Sequence, residues 1–330
     1  MNAMVQRREQ QTAVLVAPGR VQLRGREIPE PGAREVRVRV QGCGICASSL
    51  PVWEGRPWFE YPLEPGTPGH EGWGFVDAIG AEIVDLEPGD RVALISNHAF
   101  AQFDLAPRAA IVKLPYELNA RPFPGEAIGC AMNIFERSDI HSGMSVAIVG
   151  GGFLGALLTQ LAAHAGAEVT VLSQREYSLR VAQQAGATHV LNCVDSGAAR
   201  ARAIELVRGR GFERVIEAAG VQATLDLASA LTAERARLVI AGYHQDGLRQ
   251  VNMQEWNWRG LDVVNAHERS LERYASGIEA AVRAVLEGRL DPFPLLTHSL
   301  PLAQLEQGFE LVRVRPDGFV KAVVTMDALR

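Results

Sequence analysis

The sequence predicts an α/β protein with two parts, one mostly β and the other a doubly wound parallel sheet. Residues 145–173 read as strand, glycine turn, helix and strand. After residue 172, short strands alternate with helices, which is the pattern of a parallel sheet. The first 115 residues instead hold short strands separated by Pro-Gly turns, which favours a barrel-like antiparallel part.

Composition limits the classes of function. The chain has 330 residues, 47% hydrophobic and 22% charged, with a net charge of −5 and no blocks of like charge. This predicts a two-domain globular enzyme with neither a nucleic-acid nor a membrane surface. Since we find no signal peptide and no run of about 18 apolar residues, we expect a cytoplasmic protein. The four cysteines do not make a disulfide framework, and they are Cys43, Cys46, Cys130 and Cys193.

The strands of the β-rich part are predicted from the alternation of hydrophobic and polar residues and from the turns between them. Residues 12–40 contain three strand patterns, and further strands follow the motifs at His70 and at Asp90. Residues 115–124 form a connector, after which the pattern becomes helical from Glu126.

The glycine turn between residues 149 and 156 predicts dinucleotide binding. Gly150 permits the tight turn, Gly152 lets the backbone approach the phosphates, and Gly155 lets helix and strand pack closely. Phe153 and Leu154 complete the motif at the start of the helix. With a strand on each side and the helix between, the turn favours a pyrophosphate at the helix N-terminus.

The remaining elements follow the same periodicities. The sequence predicts a long helix over 271–286 that ends before Gly288. It then predicts a short helix over 302–312 and a strand over 318–325. These last elements do not continue the alternation of strands and helices, so the end of the chain is predicted to return to the first part. Between residues 177 and 241 the predicted helices are 177–185, 199–207 and 224–231, and the predicted strands are 189–191, 214–217 and 237–241.

Several motifs in one order resemble the zinc-containing medium-chain dehydrogenase/reductase superfamily of alcohol, polyol and threonine dehydrogenases. Besides the glycine turn, they are Cys43-Gly-Ile-Cys46-Ala-Ser48, Gly69-His70-Glu71-Gly72, Pro88-Gly-Asp90-Arg91-Val92 and Gly318-Phe-Val-Lys321. The resemblance implies a GroES-like β-barrel catalytic domain (1–132 and 270–330) around a Rossmann dinucleotide-binding domain (133–269). It also implies hydride transfer between a small-molecule alcohol or carbonyl and NAD(P), in a homodimer or homotetramer.

A catalytic zinc needs about three protein ligands and one open position. Cys46 and His70 match the first two ligands of the family. Glu126, 24 residues before the glycine turn, stands close to the third ligand of polyol dehydrogenases. Cys130, one helical turn further on, is the competing candidate. Glu71 can approach the metal or replace a ligand in this family.

Two departures from the family pattern bear on the zinc and on the proton relay. Ser48 keeps the hydroxyl that passes the alcohol proton onward. Ser49 replaces a carboxylate that would support the ligands, and Pro51 removes an imidazole from the relay. No cysteine occurs between residues 92 and 115, so we expect one catalytic zinc and no structural zinc.

The cofactor prediction depends on the strand after the glycine turn. It ends in Ser173-Gln-Arg175, where an NAD enzyme would carry an acid. Ser173 and Arg175 can bind a 2′-phosphate, and Arg180 adds positive charge, so the sequence favours NADP over NAD. The alternative is that Arg175 is a solvated loop charge. Lys321 matches a basic position that contacts the pyrophosphate in relatives.

The substrate prediction is by resemblance alone. The polyol-type position of Glu126 favours a secondary alcohol, polyol or sugar-type hydroxyl. Trp53, Trp58, Phe59 and Trp73 either wall a pocket or belong to the core. Two alternatives remain open, a metal-free quinone or enone reductase of the same superfamily and a catalytically inactive nucleotide-binding homologue.

Overall fold

The computed structural model describes residues 9–326, and the chain divides into two compact units. The first comprises the chain up to Ala127, Ser270–Val282 and the chain from Leu296 onward. The second comprises Ile128–Arg269 and Arg283–Leu295.

These units differ from the predicted domain limits at two places. Residues 128–132 and 283–295 cluster with the second unit and not with the first. The catalytic domain at 1–132 and 270–330 and the dinucleotide-binding domain at 133–269 stay a prediction.

In residues 9–326 the strands are β1 (Glu9–Ala17), β2 (Arg20–Glu27), β3 (Glu35–Ile45), β4 (Glu71–Ile79), β5 (Arg91–Leu94), β6 (Phe103–Pro107), β7 (Ile111–Lys113), β8 (Ser145–Val149), β9 (Glu168–Ser173), β10 (His189–Asn192), β11 (Phe212–Glu217), β12 (Thr232–Ile240), β13 (Asp262–Asn265), β14 (His298–Pro301) and β15 (Ala322–Thr325). The α-helices are α1 (Leu50–Trp53), α2 (Gly125–Ser138), α3 (Phe153–His164), α4 (Glu176–Gln184), α5 (Ser196–Leu206), α6 (Gln222–Leu231), α7 (Met253–Arg259), α8 (Leu271–Leu286) and α9 (Leu305–Val314). Short 3-10 turns occupy Ala47–Ser49, Arg108–Ala110, Tyr116–Leu118, Phe293–Leu295 and Leu302–Gln304.

The first unit is built around a seven-stranded sheet of order β14-β15-β3-β4-β5-β7, with β6 also paired to β3. Strand β3 alternates, so Val36, Val38 and Val40 all turn into the core. Strands β1 and β2 form a separate antiparallel hairpin. The mostly β architecture predicted for this part is confirmed.

The strand pairs within the first 115 residues are antiparallel, as predicted, whereas β14 and β15 at the end of the chain run parallel. Helix α9 connects them, and a parallel pair needs such a crossover. The helix begins at Leu305 rather than at residue 302, since Leu302–Gln304 forms a 3-10 turn first.

The second unit contains a six-stranded sheet of order β10-β9-β8-β11-β12-β13, and every pair in it is parallel. The predicted doubly wound sheet is therefore confirmed. The chain adds strands outward from β8 through β9 to β10, then returns to β11 on the other side of β8. Ligands of such sheets bind at the carboxyl ends of the strands where the order reverses.

Helix α7 and strand β13 are not among the elements predicted from the sequence. Asn252 caps α7 by accepting the N–H of Glu255 at 3.1 Å. An Asn followed three residues later by Glu is a helix-start signal that could have been used. Strand β13 has four residues and carries too little alternation to be recognised alone.

Among the helices of residues 9–326, every one is too short or too polar to cross a membrane.

Candidate active site

Strands β3 and β4 bring the two motif ligands together in the first unit. Strand β3 ends at Ile45, directly before Cys46, and β4 begins at Glu71, directly after His70. The strands are antiparallel neighbours with Gly44 opposite Glu71. In the part of the chain that the structure describes, ligand atoms of Cys46, His70 and Glu71 lie within 4.8 Å of one another and could hold a metal ion.

His70 presents one ring nitrogen to this group. Its Nδ1 lies 2.9 Å from the carbonyl oxygen of Pro68. Because a carbonyl oxygen only accepts, Nδ1 carries the proton, and Nε2 is left for a metal. Burial on its own lowers the pKa of His70, but the hydrogen bond and charge of Cys46 and the charges of Glu126 and Glu71 raise it to about 10. The ring thus lies among negative groups that favour a cation.

Glu71 is fully buried and has one occupied and one open oxygen. Its Oε1 lies 2.6 Å from the ammonium of Lys321, which is also buried. Its Oε2 is buried without a hydrogen-bond partner. An unpaired buried carboxylate oxygen is costly, so Oε2 is suited to a metal ion.

Gly44 makes room for this carboxylate. A Cβ added at Gly44 would overlap Oε2 of Glu71, so any other residue would displace the side chain. Gly44 is not among the site residues predicted from the sequence. A glycine inside strand β3 was the available signal, since such glycines mark close approach of another group.

The resemblance implies a pyrophosphate contact for Lys321, which stays a prediction, and in the structure its ammonium binds Glu71, 250 residues away in the chain. Burial on its own lowers the pKa of Lys321, but the charges of Glu71 and Cys46 raise it above its usual value. The available signal was a lysine within an apolar strand pattern, because a buried lysine needs a partner.

The two other candidates for the third ligand lie on helix α2. Glu126 is half-buried in its first turn, and its charge contributes to the raised pKa values of both His70 and Lys321. Cys130 belongs to the second unit. In the described residues, neither side chain is part of the group within 4.8 Å.

The residues around Cys46 include the predicted relay position. Ser48 is half-buried in the 3-10 turn after Cys46, whereas Ser49 and Pro51 are buried. Cys43 is buried as well, and burial raises the pKa of its thiol well above the usual value. It is therefore a neutral thiol.

The aromatic residues near the ligand motifs were predicted either to wall a pocket or to belong to the core. Trp53 and Trp73 are buried, and Trp53 stacks on Phe309 with ring centroids 4.8 Å apart. Phe59 packs against the same core, whereas Trp58 is 56% exposed. Trp53 and Trp73 are thus core residues.

In the second unit, the glycine turn has the local geometry that the sequence predicts. Gly150 has a φ of +118°, which favours glycine. A Cβ at Gly155 would overlap the carbonyl oxygen of Gly150, so only glycine lets α3 begin here. A Cβ at Gly152 would meet no described atom within 4 Å, so the backbone there is open to an approaching group. Phe153 and Leu154 begin α3.

The end of β9 lies beside this turn. A Cβ at Gly151 would be 3.2 Å from Cβ of Ser173, the last residue of β9. The N–H of Arg175 donates to Oγ of Ser173 at 3.4 Å. The first acid after the strand, Glu176, accepts a hydrogen bond from Asn192 at 2.5 Å. Arg180 is exposed, with its guanidinium 5.2 Å from the centroid of the Tyr177 ring.

Two family models match the chain. The model described as "Alcohol dehydrogenase GroES-like domain" matches residues 32–115, and the one described as "Zinc-binding dehydrogenase" matches residues 154–283. Human sorbitol dehydrogenase is 28% identical over 331 residues, 90% of this chain and 91% of that protein. The L-threonine 3-dehydrogenase of Anaeromyxobacter sp. (strain Fw109-5) is 26% identical over 330 residues, 89% of this chain and 92% of that protein.

Solved structures share the fold over nearly the whole chain. An Escherichia coli oxidoreductase/dehydrogenase of unknown specificity matches with a TM-score of 0.86 and 24% identity, covering 97% of this chain and 100% of that one. A Sinorhizobium meliloti 1021 protein bound to NADP matches with a TM-score of 0.80 and 24% identity, covering 96% and 99%. An E. coli CFT073 alcohol dehydrogenase complexed with NADH matches with a TM-score of 0.84 and 22% identity, also covering 96% and 99%.

Proposed function

The chain belongs to the zinc-type medium-chain dehydrogenase superfamily, and we propose that it transfers hydride between a secondary alcohol, polyol or sugar-type hydroxyl, or the matching carbonyl, and NADP(H). The grouping of Cys46, His70 and Glu71 within 4.8 Å carries this proposal. Sorbitol and threonine dehydrogenases among the relatives support an alcohol substrate. The homodimer or homotetramer that the resemblance implies stays a prediction.

The donors and charges of the site fit a zinc ion. Thiolate, imidazole and carboxylate are ligands that zinc accepts. With a thiolate at Cys46, the carboxylates of Glu71 and Glu126 and the ammonium of Lys321 leave a net of two negative charges, which a divalent cation balances. When bound, zinc supplies Lewis-acid polarisation of the alcohol or carbonyl oxygen. We propose a single ion, since residues 93–114 hold no cysteine for a structural site.

Cys46 and His70 are proposed as the first two ligands. The open Oε2 of Glu71 supports this residue as the third ligand. The electrostatic influence of Glu126 on His70 supports a second carboxylate beside the metal. Cys130 has neither observation in its favour.

The remaining residues of the site orient groups and move the proton. The bond from His70 Nδ1 to Pro68 keeps the imidazole in the tautomer that leaves Nε2 free. Lys321 holds one oxygen of Glu71 and so orients the other. Ser48 is proposed to take the alcohol proton. With Ser49 and Pro51 in place of acid and imidazole, the proton leaves through water or the ribose hydroxyls.

The test of this function combines substrate screening with metal analysis. A panel of secondary alcohols, polyols and sugar alcohols is offered with NADP⁺, and formation of NADPH is followed spectroscopically. We expect turnover of at least one member and close to one zinc per chain. Less than about half a zinc per chain would contradict the proposed ligand set and favour the metal-free quinone or enone reductase. Turnover of any alcohol would exclude the inactive homologue.

The glycine turn provides a prediction with an internal control. Gly152→Ala should weaken NADPH binding by about tenfold or more, because its Cβ would occupy the space through which the phosphates approach. Its free energy of unfolding should change by less than about 1 kcal/mol, since the space around that Cβ is open in the free protein. Gly155→Ala should instead lose both NADPH binding and about 1–3 kcal/mol of stability, because its Cβ would overlap the backbone.

These two variants are compared by NADPH titration and by urea unfolding. If Gly152→Ala binds NADPH as the wild type does, the proposed phosphate approach is wrong.

NADP rather than NAD is proposed from Ser173 and Arg175, at the end of β9 beside the glycine turn. The engagement of Glu176 with Asn192 supports this, because it leaves the nearest acid of the loop occupied. Structural neighbours bound to NADP and to NADH do not discriminate between the two cofactors.

Arg175→Ala should weaken NADPH binding by about 10- to 100-fold, since a hydrogen bond to a charged group contributes about 1.5–3 kcal/mol. NADH binding should stay unchanged, because NADH has no 2′-phosphate. Fluorescence titration with NADPH and with NADH measures the dissociation constants of the two cofactors. The exposed Arg200 on α5 supplies the control, Arg200→Ala, which should alter neither affinity. Equal weakening of both cofactors by Arg175→Ala would argue against 2′-phosphate recognition.

A further inference from the structure

A buried carboxylate that the proposed chemistry does not use lies at the carboxyl end of β11. Glu217 is the last residue of this strand and is fully buried. Its Oε1 accepts hydrogen bonds from the backbone N–H groups of Ala219 and Gly220 at 2.9 and 2.8 Å. It also accepts the hydroxyl of Thr224 at 2.6 Å. The carboxylate therefore ties the loop that leaves β11 to the first turn of α6.

The other oxygen of Glu217 reaches the loop after β12. Its Oε2 lies 3.0 Å from Nε2 of His244, and Nε of Arg249 donates to Nδ1 of the same ring at 2.8 Å. Because a guanidinium only donates, Nδ1 is the acceptor, so His244 is neutral and donates from Nε2. Arg249 also donates to the carbonyl oxygen of Gly220 at 3.0 Å and contacts Asp246. The Glu217–His244–Arg249 chain thus links the two loops.

The loop after β11 packs against the glycine turn. The N–H of Ala218 donates to the carbonyl oxygen of Val149 at 2.8 Å. A Cβ at Gly150 would lie 2.9 Å from the carbonyl carbon of Ala218. A Cβ at Gly242 would lie 2.5 Å from Oε2 of Glu217, so the second loop reaches the carboxylate only through a glycine. The shape of the loop after β11 therefore depends both on the turn and, through Glu217, on the loop after β12.

The strand order tells which half of a dinucleotide these loops face. Strand β9, which ends at Ser173, is one neighbour of β8, and β11 is the other. A dinucleotide on a doubly wound sheet crosses the carboxyl edge at this switch point, with its adenosine ribose at the strand that follows the glycine turn. The nicotinamide half therefore extends toward β11 and β12.

The hydrogen bonds also determine which backbone groups the first loop offers. The N–H groups of Ala219 and Gly220 point into Glu217. Because trans peptide units are planar, the carbonyl oxygens of Ala218 and Ala219 point to the opposite side. The loop thus turns hydrogen-bond acceptors away from the buried carboxylate.

We propose that the Glu217–His244–Arg249 chain holds the loops after β11 and β12 in the shape that receives the nicotinamide half of the cofactor. This rests on the proposed dinucleotide function. His244 and Arg249 are positioning residues, since they act through the loop backbone and not through contact with the reacting atoms.

The test separates the two halves of the cofactor. Dissociation constants of NADPH and 2′-phospho-ADP-ribose, and of NADH and ADP-ribose, are measured by calorimetry on the full-length protein. His244→Leu and Arg249→Met should each raise the dissociation constant of the dinucleotide by about tenfold or more. The dissociation constant of its adenosine fragment should change by less than about twofold. His244→Gln, which keeps an amide donor for Glu217, should recover part of the loss. If His244→Leu does not fold, Arg249→Met carries the comparison.

Arg259→Met is the matched control. The Arg259 guanidinium donates to the carbonyl oxygens of Thr232 and Ser229, and its side chain is 14% exposed against 15% for Arg249. Thr232 begins β12, so Arg259 lies at the amino edge of the sheet. Arg259→Met should therefore leave the ratio of the dinucleotide and fragment dissociation constants unchanged, both for NADPH and for NADH.

Equal weakening of dinucleotide and fragment by the His244 and Arg249 variants, or no weakening of either, would overturn the inference. Failure of the wild type to bind any of the four ligands would instead overturn the proposed function, and the inference with it.

Discussion

A Cys46→Ala variant is expected to lose its zinc and to oxidise alcohols at least about a thousandfold more slowly than the wild type. The thiolate is one of the ligands proposed within 4.8 Å of His70 and Glu71. Lewis-acid stabilisation by a metal contributes several kcal/mol to a transition state, and each 1.36 kcal/mol is about tenfold in rate. Zinc content by atomic spectroscopy and kcat/KM with NADP⁺ measure the two effects.

Cys193→Ala is the control, because Cys193 is a buried cysteine in the core of the second unit. It should keep both its zinc and its turnover. A Cys46→Ala variant that kept full alcohol turnover would rule out the role assigned to Cys46.

Lys321→Met should destabilise the metal-depleted protein by about 3–5 kcal/mol, because it leaves the buried carboxylate of Glu71 without its ammonium partner. The free energy of unfolding, measured with urea in the presence of a chelator, tests this. Adding Glu71→Gln should recover a large part of the loss, since the uncompensated charge is then removed. Additive losses in the double variant would show that the two side chains are not coupled.

A surface ion pair of the same length serves as the control. Lys113 lies 2.6 Å from Asp90, but its side chain is 55% exposed, against 6% for Lys321. Lys113→Met should therefore cost less than about 1 kcal/mol, because water screens the exposed pair. The comparison separates the effect of burial from that of distance.

Local patterns were sufficient for most of the second unit. The glycine turn, its helix and the alternation that follows are all encoded within about 30 residues at a time, and such βαβ units have a recognisable period and turn chemistry. The long helix α8 was predicted with the bounds that the structure has, Leu271–Leu286. Strand β13 and helix α7 were missed because short elements carry little periodicity.

The site was predictable in part. The motifs of Cys46 and His70 identified two candidate ligands, and the structure brings them together with Glu71. Their roles as ligands, and those of Ser173, Arg175 and Arg180 toward the cofactor, stay predictions. In the described residues, Glu126 and Cys130 are not part of the group within 4.8 Å.

The sequence by itself determined the fold class, the glycine turn and the residue types available to a metal, because each of these depends on neighbours close in the chain. Only the tertiary structure decided how distant side chains pair. Lys321 meets Glu71 because β15 pairs with β3, and β3 pairs with β4. His244 meets Glu217 because β11 and β12 are parallel neighbours whose carboxyl ends meet at one edge. Contacts of this kind depend on strand order and register, which hydrophobic periodicity along a single chain does not encode.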